Sequence, residues 1–203
     1  MILQPKTATP NLKKDTVRLS FDMGPSPIEM QIRGAVAWPE GGIPGICLVA
    51  GYNIKEKTVW IFADYTFMTV HPNYDYSKRC DIGLQLFLRE SWIKYGCNQY
   101  YYANDHDDIH KLYSRQVYRD EILKPINIQF IRSLYTDEKT ADDLIRYRVS
   151  QKTLFWNANS ELNSQQKDPD SRGRLALRVL VAGFEYLPWI DYSKPQKLKE
   201  YYI

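Results

Sequence analysis

Three stretches, "IEMQIRGAVAW" at 28–38, "GICLVAGYN" at 45–53 and "TVWIFADYTFMTV" at 58–70, decide the fold of this chain. In the first stretch apolar and polar residues alternate. The second is a continuous apolar run, and the third is rich in β-branched and aromatic residues. Such patterns are typical of strands, and a continuous apolar run is typical of a buried strand. The connections "PEGG" and "IKEK" are short, so we predict an antiparallel three-stranded meander.

Beyond the third strand, the spacing of the apolar residues changes to that of a helix. The pattern predicts a helix from about 77 to 95 that ends at Gly96. The apolar residues that define it are Ile82, Leu84, Leu86, Leu88 and Ile93. The next predicted elements are a strand in "NQYYYA" (98–103), a helix from Ile109 to near Pro125, a strand in "INIQFI" (126–131) and a helix in "DEKTADDLIRYRVSQ" (137–151).

The stretch "DPDSRGRLALRVLVAGFEYL" at 168–187 predicts the last helix, with Asp168 as the N-cap and Pro169 at the first helical position. This helix is apolar on most of its circumference, so we expect it to pack across the sheet with Leu177, Val179 and Leu180 buried. The preceding stretch, "TLFWNANSELNSQQ" at 153–166, is ambiguous.

Strands four and five each follow a helix, which predicts that they join the sheet in parallel through right-handed crossovers. The expected fold is therefore α/β: a mixed five-stranded sheet with helices on both faces and strand one between strands two and four. We interpret 1–27, in which Pro, Gly and Ser cluster, as an irregular arm, 28–190 as the domain and 191–203 as a tail.

Composition excludes several classes of protein. The formal net charge of +3 is too small to indicate nucleic-acid binding by itself. The three cysteines, Cys47, Cys80 and Cys97, are far apart and form no CxxC pair, and their odd number argues against a disulfide framework. The N-terminus does not read as a signal peptide, and no apolar run is long enough to span a membrane. We therefore predict a cytoplasmic protein that does not enter a membrane.

The order of elements resembles the ribonuclease H-like nuclease and integrase superfamily, and within it the nuclease domain of phage large terminase subunits. In that family, acids from the first strand, the end of the fourth strand and the last helix hold two divalent metal ions. In this sequence Asp105 ends the fourth strand, and Asp168 or Asp170 begins the last helix. The first strand departs from the pattern, because "AVAWPEG" has Trp38 at the position of the family's Asp.

The resemblance implies a site with Asp105, Asp170 and Glu40 as catalytic residues. Asp105, Asp170 and Asp64 would ligate Mg²⁺ or Mn²⁺, since closely spaced divalent cations need several carboxylates. Each acid also has a structural interpretation. Asp105 could cap the following helix, Asp168 the last helix, and Glu40 could be a solvated turn residue. Asp64 could be a polar residue on an edge strand.

The stretch "HDDIH" at 106–110 places two histidines one helical turn apart, which superficially resembles the HExxH zinc motif. Asp107 stands where that motif has Glu, and no third ligand follows, so exposed residues at a helix start are the favoured interpretation. Cys97 is interpreted as a small buried residue.

Two functions remain open at this stage. The first is a metal-dependent nuclease in phage or mobile-element DNA processing, acting on DNA rather than RNA. A separate protein would supply the ATPase or targeting function, because the chain has no GxxxxGK[ST] motif. The second is a degenerate module of the same fold that binds nucleic acid or a protein without cutting. An unrelated α/β protein with a structural or assembly role is a further alternative.

Overall fold

A six-stranded mixed sheet organises the chain in the computed structural model, which describes residues 30–67, 82–103, 107–133, 137–156, 160–168 and 170–186. The strands are β1 (Met30–Ala37), β2 (Gly45–Asn53), β3 (Thr58–Phe67), β4 (Gln99–Tyr102), β5 (Gln129–Arg132) and β6 (Leu154–Trp156). The helices are α1 (Ile82–Tyr95), α2 (Asp107–Arg119), α3 (Glu138–Ser150), α4 (Glu161–Gln165) and α5 (Arg172–Tyr186), with a 3₁₀ turn at Lys124–Ile126.

The strand order is β5-β4-β1-β2-β3-β6. The first three strands pair antiparallel, whereas β4, β5 and β6 each run parallel to their neighbour. The predicted fold class, the meander and the position of β1 between β2 and β4 are thus confirmed. The predicted strand count of five was wrong, because the ambiguous stretch 153–166 supplies β6 and the short α4. A three-residue strand is too short for a periodicity to reveal it.

Side chains alternate across the sheet and form two cores, one on each face. One face of β1 carries Ala35 and Ala37 and packs against α3, α4 and α5. The other face carries Val36 and packs against α1 and α2. We call these the α5 face and the α2 face. The expectation of helices on both faces is confirmed.

Helix α1 ends at Tyr95, directly before Gly96, so the predicted end is confirmed. Gly96 has a φ of +71°, a left-handed conformation that costs other residues free energy. Its buried residues are Leu84, Leu88 and Ser91. The stripe of Ile82, Leu86 and Ile93 that helped to predict the helix is instead exposed. The predicted residues 77–81 lie outside the described part of the chain.

Helix α5 packs across the middle of the sheet, and Leu177, Val179 and Leu180 are all 0% exposed, as predicted. Gly183 permits the close approach, because a Cβ there would lie 2.5 Å from the Tyr101 ring of β4. The predicted start at Asp168 was wrong, since the helix begins at Arg172.

Ser171 caps α5 in place of Asp168. Its hydroxyl accepts the backbone N–H of Arg174 at 3.0 Å. The Asp168 carboxylate instead accepts the N–H of Asp170 at 3.0 Å and closes a turn before the helix.

The proposed arm at 1–27 and tail at 191–203 lie outside the described residues, as does Pro169. Among the helices that the structure describes, none combines the length and apolar character needed to cross a membrane.

Candidate functional site

Position 38, where the resemblance expects an acid, lies at the end of β1 and carries a buried tryptophan. Trp38 is 4% exposed and belongs to the core of the α2 face. Its indole N–H donates to Nδ1 of His110 at 3.2 Å, and its ring stacks on Tyr113 with centroids 5.2 Å apart. The side chain is therefore a packing element between the sheet and α2.

The other residue at the end of β1 is Ala37, which is 2% exposed on the α5 face. Because neighbouring side chains point to opposite faces, Ala37 and not Trp38 is directed towards α5. Neither face of the sheet therefore receives a carboxylate from the end of β1.

Glu40 lies in the tight β1–β2 turn, where Gly41 and Gly42 have φ angles of +56° and +83°. The strand ends at Ala37, so Glu40 does not share a face with Trp38, as a continued strand would require. Its carboxylate instead pairs with the guanidinium of Arg172, the first residue of α5. The Arg172 side chain is only 11% exposed, whereas that of Glu40 is 41% exposed. This charge is thus compensated by a fixed protein cation.

Asp64 lies in the second half of β3, opposite Leu48 on β2. Its carboxylate accepts the backbone N–H of Leu162, in the first turn of α4, at 3.2 Å. Burial raises the pKa of the Asp64 carboxyl above its ordinary value of 3.8, an effect that the Leu162 hydrogen bond partly opposes. β6 pairs with β3 only from Val59 to Ile61, so it does not reach Asp64. Asp64 connects the sheet to α4.

Asp170 is exposed in the turn before α5, two residues from Arg172. Gln165 of α4 links this region to β3, because its side chain donates to Oγ1 of Thr66 at 3.3 Å and accepts the N–H of Gly173 at 3.0 Å. Glu40 thus contacts the first residue of α5 and Asp170 lies in the turn before that helix, whereas Asp64 contacts α4. Asp105 lies outside the described residues.

The described acids do not fit a two-metal centre. Within the described ranges, no group of three His, Cys, Asp or Glu side chains converges as metal ligands. Glu40 is turned to a guanidinium and Asp64 to a helix amide, so neither carboxylate is presented to a shared cation.

His110 is buried at 9% exposure, so the interpretation of this residue as exposed was wrong. Besides the bond from Trp38, its ring stacks on Tyr102 with centroids 3.5 Å apart. Nδ1 is occupied as an acceptor, which opposes a zinc site of the HExxH type at this nitrogen. His106 lies outside the described residues.

Cys97 is fully buried, as predicted, and burial raises the pKa of its thiol to about 12. A thiol of this kind stays protonated at neutral pH and is not a nucleophile.

Sequence reasoning missed the residues that neutralise the acids. Arg172 was not singled out, although an arginine at the start of a helix opposes the helix dipole and so calls for a local partner. Arg174 and Arg178 were also passed over, and they stand four residues apart within an otherwise apolar helix. That placement is a signal of buried cations, because the helix has few exposed positions.

The central meander, the parallel outer strands and the crossing helix α5 are the ribonuclease H-like fold of large terminase nuclease domains. Three solved structures share this fold, and they confirm the resemblance inferred from the order of elements.

The nuclease domain of the large terminase of bacteriophage SPP1, solved with bound Mn, superimposes with a TM-score of 0.55 at 8% identity, covering 90% of this chain and 98% of that one. The human cytomegalovirus terminase nuclease domain, soaked with Mn, gives 0.51 at 8% identity over 85% and 94%. The large terminase of bacteriophage HK97 gives 0.51 at 9% identity over 75% and 39%. The chain thus spans most of the two nuclease domains but 39% of the HK97 protein.

No family model and no curated protein matches the sequence. At such low sequence identity, structural similarity establishes the fold only. Any chemical activity has to be argued from the residues of the site.

Proposed function

We propose that this chain is a nucleic-acid-binding module of the terminase nuclease fold that does not itself cleave its ligand, with DNA as the ligand rather than RNA. The observation that carries this proposal is the ion pair between Glu40 and Arg172, beside a first strand that ends at Ala37 and is followed by the buried Trp38. Metal-dependent hydrolysis of a phosphodiester needs carboxylates that are directed at the cations. A guanidinium beside Glu40 opposes a divalent cation there, because like charges repel.

DNA binding is supported by the fold, which this chain shares with large terminase nuclease domains over nearly their whole length. We propose that a protein partner supplies any ATPase or targeting function. The proposed domain, 28–190, contains all the described strands and helices.

A metal-dependent nuclease is the second candidate. The observation that favours it is the presence of Mn in the SPP1 structure and the Mn soak of the cytomegalovirus structure. In this case Asp105 and Asp170 would hold Mg²⁺ or Mn²⁺, with Glu40 or Asp64 completing the set. These carboxylates would supply the negative charge that fixes the cations.

A combined binding and cleavage assay tests both candidates. The full chain is incubated with labelled DNA, and with RNA of the same sequence, in the presence of Mg²⁺, Mn²⁺ or EDTA. We expect binding to DNA without cleavage above the level of the Asp105→Asn variant, and no metal-dependent rise in melting temperature.

Cleavage by the wild type that is lost in Asp105→Asn would establish the nuclease and refute the proposal. Absence of both binding and cleavage would refute both candidates. Glu40→Gln is the matched variant at the ion pair: its DNA affinity should stay near that of the wild type if Glu40 has only its structural role.

A further inference from the structure

Helix α2 presents a surface of unusual composition. Four of its described side chains are exposed: Lys111, Arg115, Tyr118 and Arg119. Three of the four are cations, and the fourth is a tyrosine that is 49% exposed. Lys111, Arg115 and Arg119 are spaced four residues apart, so they lie on one side of the helix. We call these four residues the basic stripe.

The acids next to the basic stripe have other partners. Asp120 accepts from the Gln85 side chain at 2.8 Å and from the backbone N–H of Ile122 at 2.9 Å, and Glu121 pairs with Lys124 at 3.3 Å. Neither Arg115 nor Arg119 forms an ion pair with any residue in the described ranges. The guanidinium charges of Arg115 and Arg119 are therefore not paired within the described part of the chain.

Ion pairs one turn apart occur on the other exposed helices. On α3, Arg146 pairs with Asp143 at 3.0 Å, and on α1, Lys94 pairs with Glu90 at 3.4 Å. Arg115 and Arg119 on α2 have no such pair among the described residues, and they lie beside an exposed tyrosine.

Tyr118 is held in place by the sheet. Its ring meets Phe130 of β5 edge-on, with centroids 5.7 Å apart and planes at 66°. β5 is the outermost strand, and Arg132 is exposed two residues beyond Phe130, on the same face. The stripe therefore continues from α2 towards a further cation at the edge of the sheet.

We infer that the basic stripe is the surface that binds nucleic acid, and that it prefers a single strand. This inference rests on the proposed function. Arginine binds phosphate oxygens through two parallel N–H bonds, so Arg115 and Arg119 would contact the backbone. An exposed aromatic ring stacks on an unpaired base, whose face is hidden in a duplex. Tyr118 would thus contact a base of a single strand only.

Salt titration of binding tests the inference on the full chain. Fluorescence anisotropy is measured with a labelled single-stranded oligonucleotide and with the corresponding duplex. We expect tighter binding to the single strand. The double variant Arg115→Gln/Arg119→Gln should reduce the slope of log K against log salt concentration by about 1.4, since each lost phosphate contact removes about 0.7. The control, Arg146→Gln on the opposite face of the sheet, should leave the slope unchanged.

The tyrosine is tested separately. Tyr118→Ala should weaken binding to the single strand roughly 5- to 100-fold and leave duplex binding unchanged, while Tyr118→Phe should bind like the wild type. Melting curves of all variants verify that they are folded.

A wild type that binds DNA and a double variant with the same slope would overturn the inference and leave the proposed function standing. Equal weakening of single-strand and duplex binding by Tyr118→Ala would overturn the stacking role. A wild type that binds no DNA would overturn the proposed function together with the inference.

Discussion

Asp64 carries a carboxylate that is largely removed from water, and this has a consequence for stability. The folded chain holds Asp64 against the start of α4, where the backbone N–H groups of Leu162 and Glu161 are its partners. Burial, together with the charge of Glu161, raises the pKa of Asp64 more than these hydrogen bonds lower it. The charged carboxylate is therefore a cost of folding at neutral pH.

We predict that wild-type stability falls relative to Asp64→Asn as the pH rises. The folded state retains a proton that the unfolded state has released, so the free energy of unfolding decreases with pH between the ordinary pKa of 3.8 and the higher folded pKa. An asparagine oxygen can still accept the Leu162 N–H but does not ionise. Urea titrations of both proteins from acid to neutral pH would measure the difference.

Asp170→Asn, the same change of carboxylate to amide at an exposed position, is the matched control. A wild type that gains stability relative to Asp64→Asn as the pH rises would contradict the prediction. It would mean that the charged form of Asp64 is the favoured one in the folded chain.

At the scale of elements, α3 and α5 are joined by a buried charge network. Asp142 of α3 accepts from Arg174 at 2.9 Å and from Arg178 at 2.8 Å, and Glu138 adds a further contact to Arg178 at 3.1 Å. Arg174 is 0% exposed and Arg178 4%. Burial alone would raise the pKa of Asp142, but the two arginines lower it overall.

We predict that Asp142→Asn lowers the free energy of unfolding by about 3 kcal/mol, because it leaves the buried Arg174 guanidinium without its counterion and removes one of the two acids that pair with Arg178. Asp143→Asn is a matched control at the next position of the same helix. Asp143 is 56% exposed and pairs only with Arg146 among the described residues, so its loss should cost about 0.5 kcal/mol or less. Urea unfolding at neutral pH compares the two variants.

Equal effects of the two substitutions would show that the buried network contributes no more than a surface pair. The network also explains why α5 can carry arginines and still pack against the sheet, since each buried cation has a partner on α3.

At the scale of the whole molecule, the described strands and helices lie between Met30 and Tyr186, and the six strands form one sheet. The two cores lie on opposite faces of this sheet and are formed by the helices that follow its strands. The described residues of both cores lie between Ile32 and Phe184.

We predict that a chain trimmed to 28–190 folds and melts within about 3 °C of the full chain, which corresponds to a change of about 1 kcal/mol or less at this size. Differential scanning calorimetry measures both proteins. Val179→Asp in the trimmed chain tests the sensitivity of the assay, because an unpaired charge at a fully buried position should abolish the transition. A trimmed chain that is insoluble or melts much lower would assign the arm or the tail to the fold.

The sequence by itself determined the class of fold. The patterns that revealed the elements are local. They are the alternation in β1, the apolar run of β2, the helix stop at Gly96 and the apolar circumference of α5. Each depends on which side chains of one segment are buried and which are exposed to water. These patterns also led to the order of elements, and the order led to the terminase nuclease resemblance. The short strand β6 was not predicted, because three residues are too few to show an alternation of apolar and polar side chains.

The candidate site was decided only by the tertiary structure. Sequence reasoning identified Glu40, Asp64 and Asp170, but it could not show that Glu40 meets Arg172, more than a hundred residues away, or that Asp64 turns to the N–H of Leu162. A side chain's partner depends on which segments the sheet brings together. From the sequence alone, a carboxylate is equally compatible with a metal ion, a guanidinium or a backbone N–H of a helix as its partner. The tertiary structure selects among these partners, because only it sets the distances between them.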